Sequence, residues 1–92
     1  MSLSIQTVAQ EFSLSEEALT RESLRAYLLE QLHTLDAERQ ARCAKFGVMS
    51  LAEMDALLQG GAVSEESILE DFQQVDYLTT RIARIKQMLK EL

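Results

Sequence analysis

The chain has 92 residues, and its 15 acidic and 9 basic side chains give a formal net charge of -6. This balance argues against a general nucleic-acid-binding protein, which needs a basic face for the phosphates. A single cysteine excludes an internal disulfide, and no segment is apolar over the roughly 18 residues that a membrane-spanning helix needs. With no proline and three glycines, the composition favours one all-α protein, which we expect in the cytoplasm.

Residues 1–14 are predicted to form an N-terminal segment, either a short helix or an extended stretch. Within residues 7–20 the apolar spacing is that of a helix-turn-helix, which makes a DNA-binding regulator one alternative function. Ser13 stands where that turn usually has glycine, and the presumed recognition helix opens with two glutamates that would repel phosphates. A short helix folded back on the next helix is the simpler interpretation.

A long helix is predicted over residues 16–46. Ser15 is a favourable N-cap, and Gly47 is suited to the left-handed position that ends many helices. At about 100° per residue, the apolar side chains of this helix fall on one stripe. They are Leu24, Leu28, Leu32, Leu35 and Phe46.

A short helix is predicted over residues 51–58, ending at the Gly-Gly pair that follows it. Ser50 and Glu53 have the spacing of a capping box, in which each side chain binds a backbone amide near the other. Met49 and Met54 flank this box and are predicted to pack together as a hydrophobic staple.

A second long helix is predicted from Ser64, its N-cap, to the C-terminus. Its apolar residues alternate at spacings of three and four, which is the pattern of a helix that pairs with another helix. They are Val75, Leu78, Ile82, Ile85, Leu89 and Leu92.

Residues 15–92 are therefore predicted to form one domain, an antiparallel hairpin of two long helices with a short connecting helix. Between the two long helices, we expect Arg42 and Asp71 to form an ion pair that fixes the register of the helices relative to each other. We expect the Arg39 side chain to lie along the same contact with its guanidinium group in solvent. The predicted seam comprises Leu28, Leu32, Leu35, Phe46, Val75, Leu78, Ile82, Ile85 and Leu89.

A two-helix hairpin has only one buried layer, so some apolar side chains have no cover within it. Tyr27, Leu29 and Phe72 are in this position. A homodimer that forms a four-helix bundle would cover them, and we expect this assembly.

No pattern indicates catalysis, so we expect neither an enzyme nor a cofactor. Glu30 and His33 match the Glu-x-x-His spacing of di-metal bundles, but both point roughly 140 to 160° away from the apolar stripe. Cys43 lies at the edge of that stripe with no histidine near it in sequence, which indicates a buried, unreactive thiol.

Several short stretches give the chain a resemblance to a known group. Residues 22–28, 45–48, 50–53, 61–66, 70–72 and 76–78 carry it. In these the chain resembles a family of short, mostly uncharacterised prokaryotic proteins, some of them regarded as antitoxin-like partners of a neighbouring toxin. The resemblance implies a binding role and transfers no catalytic residue.

The leading functional hypothesis is an antitoxin-like protein-interaction module that binds a basic protein partner. The candidate binding residues are Glu65, Glu66, Phe72 and Asp76, in the acidic central part of the chain. A structural homodimer or assembly adaptor is the first alternative, and the DNA-binding regulator is the second.

Overall fold

The computed structural model describes residues 2–92, and this part of the chain contains helices and no strand. The helices are α1 (Ile5–Glu11), α2 (Glu16–Ala44), α3 (Leu51–Gln59) and α4 (Glu65–Lys90). The all-α prediction is confirmed. None of the helices described is long and apolar enough to span a membrane.

Each helix begins at a serine whose hydroxyl accepts a hydrogen bond from the backbone amide three residues later. This contact satisfies one of the amide groups that a helix N-terminus leaves free. Three of these caps are as predicted, and the cap of α1 is an addition from the structure. The four caps are Ser4, Ser15, Ser50 and Ser64.

Three of the helices end in the same backbone arrangement, with one residue in the left-handed region. These residues are Ser13 (φ 56°), Gly47 (φ 68°) and Gly61 (φ 69°). After Ser13, the amide of Leu14 donates to the carbonyl of Ala9 at 2.8 Å, which is the long bond of a Schellman motif. In the turn between α1 and α2, Ser13 therefore adopts a backbone conformation that is more favourable for glycine.

Replacing Ser13 with glycine should therefore stabilise the protein by roughly 0.5–1 kcal/mol. A non-glycine residue in the left-handed region costs about 1–2 kcal/mol, and the greater freedom of glycine in the unfolded chain offsets part of that gain. Urea denaturation should show a higher midpoint with an unchanged slope. Gly47→Ala is the matched control and should lower the midpoint, and a destabilised Ser13→Gly variant would contradict the turn described here.

The two long helices pack against each other in antiparallel orientation. Arg42 of α2 reaches Asp71 of α4 near the connection, and at the other end Leu24 lines a shallow cleft with Leu92. α3 packs on α4, and α1 packs on α2. The structure thus contains the predicted hairpin within one chain.

The best-buried part of the molecule lies at the connected end of the hairpin, where α2, α3 and α4 meet. Its buried members are Cys43, Met54, Ile68 and Val75, and Phe46, Leu51, Leu58, Val63 and Phe72 pack against them half-buried. These side chains come from all three helices and from the loops between them. This end therefore holds the three helices together.

The rest of the predicted seam is buried unequally. On α4, Leu78, Ile82 and Ile85 are buried, whereas Leu28, Leu32, Leu35 of α2 and Leu89 of α4 are only half-buried. Near the connection α4 has both α2 and α3 as neighbours, whereas farther along its main neighbour is α2, and α1 covers only the start of α2. The sequence pattern alone predicts one uniform seam and gives no sign of this difference.

The two long helices form a single layer, to which α3 adds a second layer on one side at the connected end. The principal extents of the molecule are 60 × 27 × 16 Å, and its radius of gyration is 19.2 Å, against about 12 Å for a compact chain of this length. The accessible surface is 6732 Å², roughly 1,300 Å² more than the about 5,400 Å² typical of a monomer of this mass. Much of the surface that a second layer would bury is therefore exposed.

Candidate functional site

The two sides of the hairpin differ because α3 covers only one of them. Ser50 and Leu51, at the start of α3, share a cleft with Thr79 and Ala83 of α4. The other side, which carries Tyr27 of α2 and Tyr77 of α4, is called the open face below. It is the candidate functional site.

The open face contains a groove of about 290 Å³ between α2 and α4. One tyrosine from each long helix borders it, with 61% of Tyr27 and 58% of Tyr77 exposed. Leu28, Leu35, Ile85 and Met88 supply its apolar lining, and Gln31 and Arg81 its polar groups. Tyrosine, methionine and arginine are enriched in protein interfaces. The lining of the groove thus combines aromatic, apolar and amide side chains with one guanidinium group.

An ion-pair cluster lies at the connected end of the hairpin. Arg42 Nη1 donates to Asp71 Oδ1 at 2.9 Å, and Lys45 Nζ donates to the same oxygen at 3.2 Å. Glu38 lies 3.6 Å from Arg42 Nε, which is buried and has no hydrogen-bond partner. Only 13% of the Asp71 side chain is exposed. The structure thus contains the predicted pair between Arg42 and Asp71, and it adds Lys45, which the sequence did not suggest.

The predicted solvent position for the head of Arg39 is wrong. Its Nε and Nη2 donate to Asp36 Oδ1 at 3.2 and 2.7 Å, and its Nη1 donates to the carbonyl of Met49 at 3.0 Å. The hydrogen bonds from Arg39 hold the pKa of Asp36 below its usual value. Arg39 therefore connects α2 to the loop before α3, because the Met49 carbonyl in that loop accepts a hydrogen bond from its guanidinium group.

The predicted staple between Met49 and Met54 is also wrong. Met54 is fully buried, whereas 80% of Met49 is exposed. Glu53 accepts from the Met49 amide at 2.9 Å, one residue before the amide that a capping box would use, and from the Ser50 hydroxyl at 3.3 Å. Two hydrogen bonds therefore orient the Met49 backbone, one from Arg39 to its carbonyl and one from its amide to Glu53, and the Met49 side chain remains in solvent.

The four candidate partner-binding residues do not form one patch. Glu65 and Glu66 lie in the first turn of α4, and Asp76 follows about three turns later, roughly 16 Å along the helix. All three are exposed, and none belongs to a salt bridge within residues 2–92. Phe72 instead packs against the buried cluster at the connected end, so it is chiefly structural.

The other candidate groups lie apart from one another. Glu30 and His33 are exposed, and residues 2–92 contain no group of three potential metal ligands. Cys43 is buried, and its burial raises the pKa of its thiol. This environment disfavours the thiolate, in keeping with the unreactive thiol expected from the sequence.

Only part of the open face was predictable from the sequence. Tyr27 was predicted to be uncovered, whereas Tyr77, Arg81 and Met88 were not. A signal was present, because Arg81 and Met88 are seven residues apart and flank the apolar stripe of α4 at equivalent heptad positions. What the sequence could not show is that α3 covers the opposite side.

Comparison with known proteins places the chain in a family. The profile of the family described as "Uncharacterized protein MJ0235 family" matches residues 1–92. The chain belongs to the MJ0235 family. This assignment agrees with the resemblance to short, uncharacterised prokaryotic proteins, and it carries no information on an antitoxin-like role.

The family includes a relative with a similar length. The chain is 29% identical over 76 residues to "Uncharacterized protein MJ0235" of Methanocaldococcus jannaschii. The match covers 83% of this chain and 93% of the archaeal protein. No solved structure matches the chain.

Proposed function

We propose that this member of the MJ0235 family is an antitoxin-like protein-interaction module that binds a basic protein partner. The observation that carries the proposal is the surface left uncovered by the hairpin, roughly 1,300 Å² beyond that of a compact monomer. A standard protein interface takes about 800 Å² from each partner. The scaffold therefore offers enough free surface to bind a protein while its core stays intact.

The distribution of carboxylates supports a basic partner. Within the acidic central part of the chain, the structure engages Glu53 in a helix cap and Asp71 in an ion pair. The remaining acids there are exposed and form no salt bridge in residues 2–92: Asp55, Glu65, Glu66, Glu70 and Asp76. Such charges attract an oppositely charged protein and mainly increase its association rate.

The first test is to co-express the protein with the product of the neighbouring gene and examine co-purification and rescue of growth. Removing three of the free charges, through Glu65→Gln, Glu66→Gln and Asp76→Asn, should then weaken binding about tenfold, mainly through slower association. The affinity of the original chain for the partner should also decrease when the salt concentration is raised from about 50 to about 500 mM, because the Debye length shortens from roughly 14 to roughly 4 Å.

A control with the same change of net charge separates a local effect from a global one. Glu11→Gln, Glu16→Gln and Glu91→Gln also remove three exposed acids, at the other end of the hairpin. This control should bind almost as tightly as the original chain. Affinity that is unchanged in the first variant and across the salt range would show that the acids only solvate the surface.

A structural homodimer or assembly adaptor is the second candidate function, and the aromatic borders of the open face favour it. The gene neighbourhood distinguishes the two candidates, because only the first requires an adjacent basic protein. DNA regulation through residues 7–20 gains no support, since α2 opens with Glu16 and Glu17 and the preceding residues contain no lysine or arginine.

A further inference from the structure

We propose that the open face binds a second copy of this chain, so that two hairpins pack face to face as a four-helix bundle. None of the carboxylates assigned to the basic partner lines the groove of this face, so loss of the dimer and loss of partner binding can be observed separately. Three features of the open face support it.

The first feature is the position of the groove relative to α3. At about 100° per residue, Thr79 and Ala83 lie roughly 70 to 110° to one side of the buried direction of α4. Arg81 and Met88 lie about as far to the other side. α3 thus supplies a second layer on one side of the hairpin, and the open face is the side where the second layer is missing.

The second feature is the area available. A stable dimer needs about 800 Å² from each copy, and the hairpin as a whole exposes roughly 1,300 Å² more than a compact monomer, part of it on the open face. Both long helices line the groove, between residues 27 and 35 of α2 and between residues 77 and 88 of α4, so two copies related by a two-fold axis would each present the same surface.

The third feature is charge. The chain carries a net charge of -6, yet no carboxylate is among the residues described as lining the groove, and Arg81 is its one charged group. Within the groove itself, a second copy would therefore bring no carboxylates together. A basic partner would find no acid to pair with in the groove, whereas a second copy brings an aromatic and apolar lining with only one cation, so the lining favours a second copy over a basic protein as the occupant.

Sedimentation equilibrium of the full chain tests the proposal. The expected mass at tens of micromolar is twice the chain mass of 10.4 kDa. Tyr27→Lys and Tyr77→Lys should each raise the dimer dissociation constant at least about 30-fold, because each removes an interfacial aromatic side chain and adds cations to an interface that already contains Arg81 from both copies. Helicity by circular dichroism should be unchanged, since both tyrosines lie on the surface.

Leu29→Lys is the matched control. Leu29 is 39% exposed on the same helix as Tyr27, but about 200° around the axis from it, so its replacement should leave the dimer intact. A chain that stays monomeric at several hundred micromolar would overturn the proposal. A dimer that Leu29→Lys weakens and the tyrosine variants do not would also overturn it, by placing the contact on the side that carries α3.

Discussion

Ile82→Asp should unfold the protein or bring it to the edge of unfolding, with a loss of about 3–5 kcal/mol in stability. Ile82 is buried on α4 between the two long helices, where a carboxylate would lose its hydration without gaining a partner. The total free energy of unfolding of a domain of this size is only about 5–10 kcal/mol. Far-UV circular dichroism during thermal and urea denaturation would report the loss of helix and the fall in midpoint.

Gln87→Asp provides the control on the same helix. Gln87 is exposed, so the same charge added there should change stability by less than about 0.5 kcal/mol. If Ile82→Asp retained full helicity and the original melting temperature, α4 would not pack against α2 as described.

Met54→Ala should lower stability by about 2–4 kcal/mol. Met54 is the fully buried residue by which α3 enters the core at the connected end, and shortening it removes apolar contacts and leaves a cavity. α3 has few other buried contacts, so hydrogen exchange should show that its amides lose more protection than those of α2.

Met49→Ala makes the same chemical change five residues earlier at a position that is 80% exposed. It should alter stability by less than about 0.5 kcal/mol. Because a hydrophobic staple would make the two methionines comparably important, equal losses in both variants would support the staple and contradict the structure.

The helices were predictable because their signals are local. Each predicted serine cap is followed by an apolar pattern with a helical period. Gly47, after α2, adopts the expected left-handed conformation, and after α3 Gly60 is followed by Gly61, which adopts it. The predicted end of the first long helix, residue 46, lies two residues beyond Ala44. Helix ends commonly differ by this much, because the last turn is stabilised by few bonds.

The environments of individual side chains were less predictable because they depend on tertiary contacts. The position of Arg39 follows from the carbonyl of Met49, which only the folded loop brings within its reach. Similarly, Tyr77 is recognisable as a surface residue from its helical position, but its place on the open face depends on the side that α3 occupies. Periodicity specifies which face of a helix is buried and does not specify what covers the remaining faces.

Tyrosine nitration mapped by mass spectrometry tests the role of the open face most directly, because the chain has two tyrosines and both lie there. In concentrated protein, both Tyr27 and Tyr77 should react several-fold more slowly than in dilute protein, as the groove becomes covered. If the reaction rates of both tyrosines do not change with protein concentration, the open face is not an interface between copies of this chain.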